Sequence, residues 1–514
     1  MNVQALTYDD TLYSRRWLVI VTIMMVAILE VLDTTIVNVA LPSMMPSLGA
    51  DQNQITWVLT SYVVSSAVVL PLTGFISNRL GQKQMLIMNI TGFLISSLLC
   101  GMAESLPEMV LFRILQGAFG ASLIPLSQSI LRQTFPLDQQ GKAMAIWGIG
   151  IMAAPVLGPT LGGFITEHSS WRWIFYINLP VCLLSLFMTF WVIPKTKKTL
   201  QRIDWLGLIL MVVGIAAMQI FLDKGNEKDW FSSNLIIALA ITSAFCLIWF
   251  IARSLAHRHP VIKLTLYQNR NFAICSLLLL LFCGAIFSML TLQPIMLENL
   301  FDYPAMTTGW TMAPLGLASA ISMMMVSNLI NRVNIKIILG ICIAVSAYGA
   351  YRLTTISLAS SMNEFLIDNA IIGFAMGGFM VPLTTYALAT IPKPNITEAS
   401  GLFSYGRMVG TSVGISLMST LVSRTTQMSW HTLVGHVNVF NHAYQAWFAH
   451  QQVKEGSAIG IVRLAHVIGQ QSQLLGFLDA FKTIAFIFAA LLPLTLLLKH
   501  VDLKAKAKEI PQGE

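Results

Sequence analysis

Long apolar runs, separated by short polar or charged connections, repeat along nearly the whole chain. A helix needs about 20 mostly apolar residues to cross a bilayer. Fourteen stretches qualify, near residues 17–41, 54–76, 84–103, 107–131, 142–165, 172–193, 204–222, 233–252, 271–297, 306–329, 335–353, 363–391, 396–423 and 477–498. Most connections between them are short. The exception is 424–476, rich in Gln and His, before the last run. The pattern predicts an all-α membrane protein with fourteen transmembrane helices.

Composition agrees with the pattern. Of 514 residues, 55% are hydrophobic and 11% are charged, and the mean hydropathy is +0.71. Soluble domains carry about 25% charged residues, and disorder needs low hydrophobicity with high charge density. Both classes are excluded. The polar start, MNVQALTYDD, is followed by no signal-peptide cleavage site, and the first run is long enough to stay in the membrane. Cys100, Cys182, Cys246, Cys275, Cys283 and Cys342 lie inside apolar runs without a CxxC pair. They read as small packing residues.

The net charge is +8. An even number of spans puts both termini on one side. If that side is the cytoplasm, it receives 21 Lys and Arg, among them Arg15, Arg16, Lys195, Lys197, Lys198, Arg202, Lys499, Lys504, Lys506 and Lys508. The outside receives eight: Arg172, Lys224, Lys228, Arg352, Arg424, Lys454, Arg463 and Lys482. Arg113 and Arg407 remain within spans. This bias satisfies the positive-inside rule. The basic charge is therefore a topology signal, with contact to anionic lipid heads as a by-product, and it implies no nucleic-acid partner.

An internal repeat divides the chain. Asn78-Arg79-Leu80-Gly81-Gln82-Lys83 and Asn331-Arg332-Val333-Asn334-Ile335-Lys336 share Asn-Arg-apolar-x-x-Lys, 253 residues apart. Gly120-x4-Pro125-Leu126 and Gly377-x4-Pro382-Leu383 match at 257 residues. Both pairings shift by eight spans. They predict a six-helix bundle over 16–193, two inserted helices over 203–255 and a second six-helix bundle over 269–499, with the 424–476 loop inside the last. Such halves characterise secondary transporters, whose substrate path lies at their interface.

Ionisable groups inside spans are functional candidates, because burying them costs several kcal/mol. Glu30 and Asp33 share a face of the first span. At about 1.5 Å per residue, Asp33 lies roughly 12 Å and Arg113 roughly 9 Å from the outer side, so the two could pair. They read as a protonatable carboxylate and the base that tunes it; the alternative is a static ion pair that joins two helices. Glu30 is a candidate second proton site or cation contact. Arg407, roughly 17 Å from the inner end of its span, could bind an anionic substrate or counter a carboxylate in the other half. Gln116 and Asn38 join it as candidate substrate contacts. Asp368, near an outer end, reads as interfacial. The run Gly158-Pro159-Thr160-Leu161-Gly162-Gly163 combines close helix packing with an expected proline kink. Gly406, Gly410 and Gly414, at spacing four, read as packing.

These residues together resemble the fourteen-span drug:proton antiporter family of the major facilitator superfamily, and within it the EmrB-type exporters. The likeness covers essentially the whole chain. Leu32-Asp33-Thr34-Thr35-Ile36-Val37-Asn38-Val39-Ala40-Leu41-Pro42 is similar to that family's first-span signature with its membrane aspartate. Gly74-Phe75-Ile76-Ser77-Asn78-Arg79-Leu80-Gly81-Gln82-Lys83 resembles the superfamily loop that gates the inner side. Arg113-Ile114-Leu115-Gln116-Gly117 resembles the motif whose arginine is implicated in proton coupling, and the run from Gly158 to Gly163 resembles the motif associated with exchangers. Leu222-Asp223-Lys224-Gly225, Asp229-Trp230-Phe231-Ser232-Ser233 and the long loop, periplasmic in this subgroup, look family-typical. The chain departs from the pattern at Asn78, where the loop usually has Asp, and at Gln82, where it usually has a basic residue. Ala145 and Ala154 stand where the antiporter motif usually has Gly. Glu30 is outside the family signature.

The resemblance implies proton-driven efflux of hydrophobic drugs across a bacterial inner membrane. It implies no cofactor, and a periplasmic membrane-fusion adaptor and an outer-membrane channel as partners. A largely apolar pocket is expected, with 27 Met and 27 Phe available to line it. The competing reading is a proton symporter or a lipid or fatty-acid exporter on the same fold. An ATP-driven pump lacks its GxxxxGK[ST] loop. A hydrolase built on Gly410-Thr411-Ser412-Val413-Gly414 lacks a histidine base, since all nine histidines map to loops or ends. The sequon Asn395-Ile396-Thr397 falls on the cytoplasmic side and is a chance match.

Overall fold

The computed structural model describes residues 10–194, 196, 198, 204–257, 260–330, 332–392, 395–438, 440–450 and 457–499. Fourteen long helical segments dominate, with no strand among the described residues. The first six are α1 (Asp10–Leu48), α2 (Trp57–Leu80), α3 (Gln82–Met102), α4 (Leu106–Thr134), α5 (Leu137–His168) and α6 (Trp173–Val192). Then come α7 (Trp205–Lys224) and α8 (Asn234–Ala256). The last six are α9 (Arg270–Leu300), α10 (Ala305–Leu329), α11 (Ile335–Leu353), α12 (Met362–Ala389), α13 (Ile396–Gly435) and α14 (Ala458–Leu496).

Among the described residues, twelve of these are long and apolar enough to cross a membrane by length and composition. The two outside that set, α5 and α13, have 32 and 40 residues. In α13, Gly, Thr and Ser dilute the apolar content, whereas α5 includes side chains outside the described residues; both lie at the seam between the halves, where small residues let backbones approach. Helix α4 is broken between Gly120 and Leu123. Pro125 lacks an amide hydrogen and crowds the carbonyl four residues back, which opens the ladder there.

The segment 424–476 differs from the loop expected of it. Helix α13 continues to Gly435, α14 begins at Ala458, and a short helix, His442–His450, lies between them. The two long helices stay packed beyond the apolar runs: a Cβ on Gly476 would meet the Val422 carbonyl at 2.8 Å, and one on Gly469 would meet Trp430 at 3.5 Å. These turns carry Ser, Thr, Gln and His, so they contain no 20-residue apolar run. A helix supported by a packed partner does not need one.

Helices α1–α6 pack as one bundle and α9–α14 as another. Without a hydrophobic force between helices in lipid, close packing of small residues carries the association. The two bundles repeat it. A Cβ on Gly117 of α4 would meet the Tyr62 carbonyl of α2 at 2.4 Å, and one on Gly373 of α12 would meet the Leu315 carbonyl of α10 at 2.1 Å. Likewise Gly158 and Gly162 of α5 press on α1, and Gly410 and Gly414 of α13 press on α9. Across the seam, α5 faces α10 and α12, while α13 faces α2 and the second part of α4.

The inserted pair packs α7 against α2 and α13. Lys224 Nζ donates to Thr56 Oγ1 at 2.5 Å, Thr60 donates to Asp223, and Gln219 Nε2 donates to Ser412 Oγ at 2.7 Å. Helix α7 thus bonds to both bundles, and α8 presents most of its side chains outward. Asp204, just before α7, receives three hydrogen bonds from Arg253 and caps the Gly207 amide. The Arg253 hydrogen bonds hold its carboxyl below the usual carboxylate range.

Candidate functional site

The first-span signature, the α4 arginine and a polar face of α3 and α6 converge on one buried point. Arg113 Nη1 donates to Asp33 Oδ2 at 2.6 Å, and both side chains are almost fully buried. Asp33 Oδ1 accepts from Gln116 Nε2 at 2.8 Å and from Asn178 Nδ2 at 3.1 Å. Ser97 Oγ receives both amides in turn, at 2.8 and 3.4 Å. Three donors from two helices therefore satisfy one carboxylate. This is what a buried charge requires.

Arg113 is held independently of the acid. Its Nε donates to the Val58 carbonyl at 3.1 Å and its Nη1 to Gln116 Oε1 at 2.7 Å, and its guanidinium lies 4.3 Å from the Tyr62 ring centre. A proton on Asp33 would cancel the ion pair, yet Arg113 would keep a carbonyl, an amide oxygen and an aromatic face. The site can therefore change charge without leaving a bare buried cation. Asn369, in the other bundle, occupies the place of Arg113. Its Nδ2 donates to the Thr311 carbonyl at 2.9 Å, as Arg113 does to Val58.

Glu30 is buried one helical turn away, and its Oε2 accepts from the Ile124 amide at 3.2 Å. That amide is available because α4 is broken just before it. Arg407 lies on α13 of the other half. Arg407 is half-buried and has no ion-pair partner within 4.0 Å among the described residues. Gln116 spends its amide on the Asp33 cluster, which makes it an organiser of that cluster, and Asn38 is exposed, outside it. Asp368 pairs with Arg352 at 2.5 Å between α11 and α12.

The loop residues divide by role. Gly74 abuts the Glu398 backbone so closely that a Cβ would lie 2.4 Å from its Cα. Gly81 has φ +88°, which favours glycine, and ends α2 so that α3 can start. Lys83 Nζ donates to the Phe190 carbonyl at 2.7 Å. Asn78 is half-buried and Arg79 exposed, and neither side chain makes a hydrogen bond to the other half among the described residues. In the run from Gly158 to Gly163, a Cβ on Gly158 would meet Thr35 Oγ1 at 2.1 Å and one on Gly162 the Ile36 carbonyl at 3.0 Å, whereas Gly163 faces open space. The Pro159 side chain lies outside the described residues, and α5 is one helix through that position.

The sequence suggests that Asp33 and Arg113 could pair, as they do, and offers Gln116 as a substrate contact, whereas here it bonds to Asp33; Ser97, Asn178, Tyr62 and the Val58 carbonyl are not singled out by it. A neutral polar residue inside a predicted span, such as Asn178, was the only signal available for them.

Comparison with known proteins places this geometry. The Major Facilitator Superfamily model matches residues 23–415. The fatty acid resistance protein FarB of Neisseria gonorrhoeae is 34% identical over 92% of this chain and 94% of that protein. The multidrug export protein EmrB of Escherichia coli is 34% identical over 84% of this chain and 85% of its own. Among solved structures, the human organic anion transporter MFSD10 aligns with TM-score 0.63 at 13% identity, over 93% of this chain and 99% of that one. The proton:xylose symporter XylE aligns with TM-score 0.57 at 14% identity, over 92% and 96%. The chain is a multi-pass membrane transporter and not an enzyme; it belongs to the Major Facilitator Superfamily, among the EmrB-type exporters.

Proposed function

We propose that this protein exports hydrophobic drugs or toxic compounds across a bacterial inner membrane in exchange for protons, without a cofactor. The carrying observation is the Asp33–Arg113 pair, a buried acid with three donors beside a base that has other partners. In this reading all fourteen long helices span the bilayer and both termini are cytoplasmic. Asp33 takes a proton from the outside while Arg113 relaxes onto Gln116 and Val58. The halves then rearrange, and the proton leaves inward as substrate leaves outward. Glu30 of α1 and Arg407 of α13, one from each half, supply the polar part of the substrate path. The packed α13–α14 extension is the surface offered to a periplasmic adaptor, which connects to an outer-membrane channel.

The Asp33→Asn protein in proteoliposomes tests this. It is expected to fold, to bind drug and to show no drug-induced proton flux. Flux equal to the parent's would reject Asp33 as the coupling site. Export of fatty acids or lipids is the second reading, favoured by the name of the Neisseria relative. A panel of lipophilic cations, weak acids and fatty acids, with and without a pH gradient, separates the two. The sign of proton movement separates antiport from symport.

A further inference from the structure

We propose that Gln82, Ser129 and Thr397 form an uncharged latch that holds the two halves together at the end carrying the 77–83 loop. Gln82 is buried at the start of α3, and its Nε2 donates to Ser129 Oγ of α4 at 3.1 Å and to Thr397 Oγ1 of α13 at 2.8 Å. The two hydroxyls lie 2.7 Å apart. One amide thus ties the first bundle to the second through a closed triangle of hydrogen bonds. The neighbouring contacts are also free of ion pairs. Gly74 packs on the Glu398 backbone, Gly401 lies near the Leu70 carbonyl, and Arg132 Nη2 donates to the Thr384 carbonyl at 2.6 Å. Glu398 is bound within its own side by Lys263, at 3.0 Å. No ion pair joins the two bundles among the described residues.

Buried polar atoms lie at the same end. Ser77, Gln128, Arg132, Thr385 and Ser400 each bury a polar atom that has no partner. They lie near the ends of α2, α4, α12 and α13 that meet there. The latch closes over these polar atoms, which opening exposes to bulk water. Two consequences follow. Closure depends on geometry more than on charge, so salt has little to screen. Loss of one latch partner also releases the end toward the open form.

The latch rests on the alternating-access reading, and its test is kept apart from transport. Ser400 is fully buried without a hydrogen bond, so Ser400→Cys serves as a reporter. In detergent, where both ends meet the reagent, maleimide labelling of this cysteine reports opening without substrate or gradient. Gln82→Ala and Thr397→Val are each expected to label about fivefold faster than the parent, as the loss of one or two hydrogen bonds implies. Their combination should be little faster than the faster single variant, because they share bonds. Thr397→Ser should keep the parent rate, and the parent rate should barely change between about 0.05 and 0.5 M salt. Parent-like labelling of both variants, or strong acceleration of the parent by salt, would overturn the latch. If Gln82→Ala fails to fold, the Thr397→Val and Thr397→Ser pair decides. Asp33→Asn, which tests proton exchange, leaves the latch residues intact, so the two readings fail separately.

Discussion

Three donors on one carboxylate set what a single substitution costs. Arg113→Ala leaves Asp33 buried with Gln116 and Asn178 alone, and breaking such a pair costs about 3–5 kcal/mol. The double variant Asp33→Asn, Arg113→Gln removes both charges and should recover much of that stability while exchange stays lost. Thermal unfolding in detergent measures it; a double variant as unstable as Arg113→Ala would mean that packing, not charge, is at stake. Arg113→Lys should also abolish exchange, since an ammonium cannot reach Asp33, Gln116 and the Val58 carbonyl with one planar fork. At this scale the charged residues were legible because an ionisable group in an apolar run is costly and therefore conspicuous. Ser97, Ser129 and Thr397 were not, because hydroxyls are common in spans and declare a role only through a partner from another helix. Asn78 and Gln82 stood out as departures, but only the fold could reveal that Gln82 spans the two halves.

For helices, the decisive distances are those between a glycine and its neighbour. Gly410→Ala would drive a Cβ to 2.0 Å from the Leu280 carbonyl, a backbone atom that cannot step aside. It should unfold well below the parent. Gly158→Ala meets a β-branched side chain, Thr35, and should cost less; Gly163→Ala meets nothing and should stay within about 0.5 kcal/mol of the parent. A melting series over the three checks the order. Asp204, at the corner of α7 and α8, adds a dependence on pH. An acid held below its ordinary value stabilises above the unfolded value of about 3.9 and stops doing so as pH falls through the folded one. The Tm deficit of Asp204→Asn should therefore be present near neutrality and shrink below about pH 4. The long apolar elements were readable from length alone. The extensions of α13 and α14 were not, because their stability comes from each other and leaves no apolar run in the sequence.

Across the whole molecule, the two short sequence matches lie 253 and 257 residues apart, and the glycine contacts on Tyr62 and Leu315 repeat at a similar offset, down to single carbonyls. The seam between them could not be read, since it joins residues hundreds of positions apart through neutral groups. If all fourteen helices span, cysteines placed at 436–441 should react from the outer face and tags at both termini from the inner one. In that reading helix α13 links the two faces in a single piece. It touches Leu70 through Gly401 at one end, and it ends at Gly435, about 50 Å further along. A rod pivoted at its base acts as a lever. A tilt of about 10° there swings the far tip by roughly 9 Å over that length. A protein seated on the tip would feel such a tilt as a stroke about three times the length of the hydrogen bonds that start it.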